Sequence, residues 1–93
     1  MEAVALYDKV RSKRGESLVF LKAVEEMGEL IKSISKFIGE GEGEQEDLLG
    51  SVEEEIADVT IMMEQLRLIF FPTIIDRIRK EKLERLEERV KTW

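Results

Sequence analysis

Two acidic pairs, Glu26-x-x-Glu29 and Glu55-x-x-Asp58, are where this chain holds residues able to do chemistry. On a helix, residues three apart share a face, so each pair sets two carboxylates side by side. Carboxylate oxygens are hard ligands, suited to Mg²⁺ or Mn²⁺, and one of them can also take a proton from water. Four of them aimed at one point repel strongly unless some are protonated or divalent ions sit between them.

Whether the pairs meet depends on the helices that carry them. Phe20, Val24, Met27, Ile31, Ile34 and Ile38 recur at spacings of four and three, as do Val52, Ile56, Val59, Met63, Leu66 and Phe70. Each set is an apolar stripe of the kind that packs against another helix, and is expected to be core. At about 100° per residue, both acidic pairs fall on the same side of their stripe. Helices joined by a short connection are antiparallel neighbours, and like flanks then meet across the interface. The heights agree as well: Glu26 with Asp58, and Glu29 with Glu55, both centre on position 42.

Composition narrows the chemistry. The 93 residues include no cysteine and no histidine, which excludes disulfides, thiolate ligands, cysteine nucleophiles and imidazole bases. A net charge of −6 argues against a nucleic-acid partner. No apolar run approaches the roughly 18 residues that span a bilayer, and no signal peptide opens the chain. These features predict a cytoplasmic protein without membrane partners. Charged residues at 39 %, no asparagine and two glutamines are compatible with a thermophilic source.

Long Glu/Lys/Leu/Ile-rich segments with few breakers predict an all-α chain, a single domain over 1–93. The expected helices cover 2–13, 17–38, 51–70 and 72–91. Gly15 and Gly39 end the first two. Ser17 caps the second, and Ser51-x-x-Glu54 reads as a capping box for the third, with a start near Asp47 as the alternative. Pro72 suits the first turn of the fourth. The segment GEGEGEQE, 39–46, reads as an acidic linker. The architecture expected is a four-helix antiparallel bundle. A chain this small has a marginal core, so completion by homo-oligomerisation is expected.

With these elements in place, KAVEEMGEL (22–30) followed by EEIADV (54–59) resembles the E-x-x-E … E-x-x-D signature of the all-α nucleoside triphosphate pyrophosphohydrolases, the MazG-like group. KLERLEERV (82–90) is similar to the Lys/Arg-bearing last helix found there. The resemblance covers about residues 18–90. It implies that Glu26, Glu29, Glu55 and Asp58 are Mg²⁺ ligands at the catalytic centre. It also implies cleavage of a nucleoside triphosphate between the α and β phosphates, giving a monophosphate and pyrophosphate. Homodimers or homotetramers, with sites built partly from a neighbouring subunit, are what it implies for assembly. Some branches carry an asparagine on the last helix near the nucleotide; this chain has none, so base and sugar preference do not transfer.

Lys22, one turn before Glu26, is a candidate phosphate ligand or an ordinary i, i+4 partner of that glutamate. Lys82, Arg85 and Arg89 form a basic stripe on the last helix, with Lys82 and Arg89 the candidates for phosphate contact. Interleaved Glu81, Glu84 and Glu88 would also suit a plain solvated helix. Leu83, Leu86, Val90 and Trp93 are expected at core or at a subunit interface. Two alternatives stand beside the pyrophosphohydrolase. One is a phosphoribosyl-ATP pyrophosphohydrolase, which shares the architecture, although EEIADVTIMMEQL is closer to the MazG-like pattern. The other is a non-catalytic helical interaction module with surface acids.

Overall fold

The computed structural model of the chain describes residues 1–39 and 45–93. The fold is all-α: α1 (Ala3–Arg14), α2 (Glu16–Gly39), α3 (Gln45–Ile69) and α4 (Pro72–Val90), with no strand among the described residues. The linker expected at 39–46 falls largely on residues 40–44, outside the described residues.

The helix boundaries follow local chemistry. Gly15 links α1 to α2 at φ 82°, a left-handed value that favours glycine, while its N–H closes on the Arg11 carbonyl at 2.8 Å. Phe71 is extended (φ −109°, ψ 97°) ahead of Pro72 at the first turn of α4, as the steric demand of proline requires. The start of α3 differs from the capping-box expectation. That helix begins at Gln45, so Ser51 lies inside it, and its hydroxyl pairs with Ser33 across the helix interface at 3.0 Å. Similarly α2 begins at Glu16, placing Ser17 within the helix. A serine followed three residues later by glutamate marks a helix start only where the upstream chain is unable to be helical.

α2 and α3 pack along their length as an antiparallel pair. Ser33 meets Ser51, Glu26 lies with Asp58, and Val19 shares a cleft with Gln65. Each of these pairs centres on position 42, as the acidic pairs themselves predict. α1 lies across one end, where Tyr7 donates a hydrogen bond to Glu64 and Arg11 donates to the Leu68 carbonyl at 3.4 Å.

The core is small: Val19, Ala23 and Met62 are buried, with Val10, Met27, Leu66 and Ile69 packed against them. The two stripes expected as core are, within one chain, largely exposed. Val24 is 65 % exposed, Ile31 67 % and Ile38 76 %, and Ile56, Met63 and Phe70 are also exposed. Both helices carry apolar residues on more than one face, and the face that closes the seam runs through Val19, Ala23, Glu26 and Ser33 instead. The expected stripes lie beside this seam, where Phe20 and Phe70 touch with ring centroids 5.7 Å apart.

α4 is held at its beginning by a two-pronged ion pair, in which Arg67 donates to both carboxylate oxygens of Asp76 at 2.6 and 3.2 Å. Beyond Ile75 every residue of α4 is exposed, including Ile78, Leu83, Leu86 and Val90. The result is an open shape. The radius of gyration is 16.8 Å, against about 12 Å for a compact domain of this length.

Candidate metal centre

Glu26, Glu55 and Asp58 come together midway along the α2–α3 seam, each offering a carboxylate oxygen within 4.8 Å of the others. Local helix geometry brings Glu55 and Asp58 to one face of α3, and the antiparallel register sets Glu26 of α2 opposite Asp58. The Glu26 side chain is only 14 % exposed. One oxygen of Glu55, Oε2, is buried and has no hydrogen-bond partner.

Burial pushes the Glu55 carboxyl above its ordinary value, and the negative charges of Asp58, Glu26, Glu29 and Glu54 push it the same way. An orphaned carboxylate oxygen surrounded by other acids is a costly arrangement for a protein alone. A divalent cation relieves both penalties, because it supplies the missing partner and the missing charge. The donor set is all oxygen, so the residues present fit a hard cation such as Mg²⁺ or Mn²⁺.

Glu29 is not within the tight group of three. It lies beside Glu55, lining with it a cleft of about 130 Å³ together with Lys32, Ser33, Lys36 and Ser51. The carboxylates expected to converge thus divide into three at the centre and one at its edge.

Lys22 pairs with Glu26 at 3.0 Å and with Glu25 at 3.4 Å. These bonds hold its ammonium above its ordinary pKa, with Glu26 the stronger influence. The i, i+4 partnership is therefore formed, and the same ammonium also lines a neighbouring apolar cleft. Lys82 and Arg89 are exposed on α4, and among the described residues neither forms an ion pair with the acidic cluster. Within one chain the basic stripe of α4 is not part of the centre.

Sequence reasoning missed Lys32, Ser33, Lys36 and Ser51, which share a cleft with Glu29 and Glu55, and Gln65, which lines the cleft with Lys22 and Met62. A signal was present. Ser33 with Ser51 centres on position 42 as the acids do, and Asp58, Met62 and Gln65 follow one another at spacings of four and three.

No protein-family model, no curated protein and no solved structure matches the chain.

Proposed function

We propose that the protein is a Mg²⁺-dependent nucleoside triphosphate pyrophosphohydrolase of MazG-like type, cytoplasmic, acting as a homo-oligomer and cleaving between the α and β phosphates. One observation carries this reading: the oxygens of Glu26, Glu55 and Asp58 gathered within 4.8 Å, around a Glu55 oxygen that is buried and unpartnered. A surface module has no use for a buried, unpartnered carboxylate oxygen beside two more acids, whereas phosphoryl chemistry uses clustered carboxylates to hold its cation.

Glu26, Glu55 and Asp58 would hold the cation, with Glu29 at the edge where a second metal ligand or a water contact is needed. The cation, when bound, neutralises phosphate charge and lowers the pKa of water. The chain's own contribution is positional. The α2–α3 seam sets three carboxylates at fixed positions on two packed helices, with a cleft beside them open to a ligand. Lys22, already at 3.0 Å from Glu26, is placed to exchange that partner for a phosphate oxygen.

The open shape supports an oligomer. The accessible surface is 7554 Å², against about 5,500 Å² for a compact monomer of this mass. The exposed stripes of α2 and α3 meet at Phe20 and Phe70, so a second copy docked on them would complete a four-helix antiparallel bundle. Among the described residues, no helix is long and apolar enough to cross a membrane.

The test is a panel of canonical and damaged nucleoside triphosphates, with phosphoribosyl-ATP included, scored for pyrophosphate release with and without Mg²⁺. Release from a nucleoside triphosphate that stops on chelation supports the reading. A purified, folded protein that releases pyrophosphate from none of them and binds no Mg²⁺ by calorimetry defeats it.

A further inference from the structure

The acidic centre has a different cleft on each side along the α2–α3 seam. Towards α1, Val10, Leu18 and Met62 make an apolar hollow of about 290 Å³, rimmed by Arg14 and Lys22, with Gln65 in its wall. Towards the other end, Lys32, Lys36, Ser33 and Ser51 line a polar cleft of about 130 Å³ that borders Glu29 and Glu55. On α2 the order is Leu18, Lys22, Glu26, Glu29, Lys32, Lys36, and on α3 it is Gln65, Met62, Asp58, Glu55, Ser51. Taken together the two helices give a succession along the seam: a largely apolar stretch rimmed by Lys22, then the acids, then lysines from α2 facing Ser51 of α3.

Gln65 is notable within the apolar cleft. It is buried, yet among the described residues its carboxamide makes a single hydrogen bond, from Nε2 to the Met62 thioether at 3.5 Å. Thioether sulfur is a weak acceptor. The Gln65 Oε1 has no protein partner among the described residues and is not enclosed, so the carboxamide offers donor and acceptor capacity to a ligand in the cleft. A nucleobase edge presents the complementary pair of groups, and its ring faces suit an apolar wall. The opposite cleft combines two lysines with the Ser33–Ser51 hydroxyl pair, which keeps one O–H free to donate, a donor set suited to a pyrophosphate.

From this succession we infer that the nucleotide lies lengthwise along the seam with a fixed direction. Its base enters the Val10/Leu18/Met62 cleft, where Gln65 reads the base edge. Its β and γ phosphates point to Lys32 and Lys36. The inference rests on the proposed hydrolase activity and adds to it the direction of the substrate and the residue that selects the base. The bond between the α and β phosphorus atoms then spans the carboxylates, nucleoside monophosphate being left on the α1 side and pyrophosphate on the other.

The experiment measures binding of products, so turnover is not needed. Nucleosides and their monophosphates are titrated by calorimetry without metal, and inorganic pyrophosphate is titrated with Mg²⁺. Three variants are compared with the wild type: Gln65→Leu, Leu18→Trp, and Lys32→Met with Lys36→Met. Gln65→Leu is expected to narrow the spread of affinities among the four bases by about tenfold, the worth of one hydrogen bond. Leu18→Trp, at an exposed rim position that leaves the core alone, is expected to weaken every nucleoside while sparing pyrophosphate. The double lysine variant is expected to weaken pyrophosphate by about tenfold or more and to leave the base spread as it was. The inference is overturned if the effects are exchanged between the two ends. It is equally overturned if neither end responds, or if the wild type binds none of these probes. A protein that cleaves triphosphates but fails these comparisons keeps the hydrolase reading and loses the direction. One that passes them without ever releasing pyrophosphate keeps the direction and loses the hydrolase.

Discussion

The α2–α3 hairpin and α4 are made from similar material and behave differently. Both are long, charged helices with an apolar stripe, yet the hairpin buries Val19, Ala23 and Met62, whereas α4 is exposed beyond Ile75. The hairpin has a neighbour along its whole length. α4 is tied only where it starts, through Arg67 and Asp76. Amphipathic periodicity describes a helix that needs a partner, and it does not say whether the partner belongs to the same chain. The polar groups divide in the same way. Glu26 and Glu55 of the hairpin are drawn into the seam, while the alternating charges of α4 beyond Asp76 stay in solvent.

Substitutions in the seam should therefore act on function and stability, and those on the exposed hairpin stripe on the proposed assembly, whereas those on α4 should hardly change the stability of the chain. The largest effect is expected for Glu55→Gln with Asp58→Asn. Outer-shell partners of metal ligands are worth about 10–100-fold, so loss of two ligands should reduce pyrophosphate release by more than about 100-fold with circular dichroism unchanged. Retained activity would remove Glu55 and Asp58 from the centre.

Met62→Ala should be next, costing about 2–5 kcal/mol as a cavity opens in the small core, read from a denaturant midpoint. By contrast, Leu86→Ala on α4 should cost under about 0.5 kcal/mol in the isolated chain, the usual effect of a surface change. If Leu86 is as costly as Met62 at high dilution, α4 packs on its own chain and the contrast collapses. Paired charge on the exposed hairpin stripe, Val24→Glu with Ile31→Glu, should shift sedimentation from oligomer to monomer. An unchanged sedimentation coefficient would move the interface elsewhere.

A smaller effect concerns pH. The Glu55 carboxyl is raised in the folded state above its ordinary value of 4.5, so the folded protein holds that proton more tightly than the unfolded one. Its contribution to stability is then fully present below about 4.5 and is lost as pH rises through the higher folded value. In chelator, the wild type should lose stability relative to Glu55→Gln over that interval, and Mg²⁺ should cancel the difference at neutral pH. Asp76 works in the opposite sense. Arg67 holds its carboxyl below the ordinary 3.8, so its stabilisation is present above that value and lost as pH falls through the lower folded one. The difference between wild type and the Glu55 variant isolates the first effect. A gain rather than a loss is expected for Gly50→Ala, where an added Cβ meets no atom within 4 Å. Helix propensity should then give up to about 1 kcal/mol of stabilisation, read as a rise in melting temperature.

Much of the layout was legible in the residues. α1, α2 and α3 end within a few residues of Gly15, Gly39 and Pro72 because backbone sterics and a missing N–H act locally. The register of α2 on α3 was also legible, since a short connection leaves little freedom in how two helices meet. The start of α3 was misread because Ser51 satisfies a local pattern while the preceding turn is itself helical. The seam was misread for a different reason. α2 carries Leu18, Val19, Phe20 and Leu21 in succession, so its wheel has several apolar faces and periodicity alone does not choose among them.

By itself the sequence determined that the chain is helical, where it breaks, and that two acidic pairs stand at equal heights on neighbouring helices. These are consequences of local sterics and of a repeat of 3.6 residues per turn. Only the tertiary structure decided which face of each helix became the seam. It also decided that Glu55 is buried without a partner while Glu29 stands at the edge, and that a buried Gln65 and a pair of lysines flank the acids on opposite sides. Those outcomes depend on side chains from distant parts of the chain competing for the same space, which no single helix records.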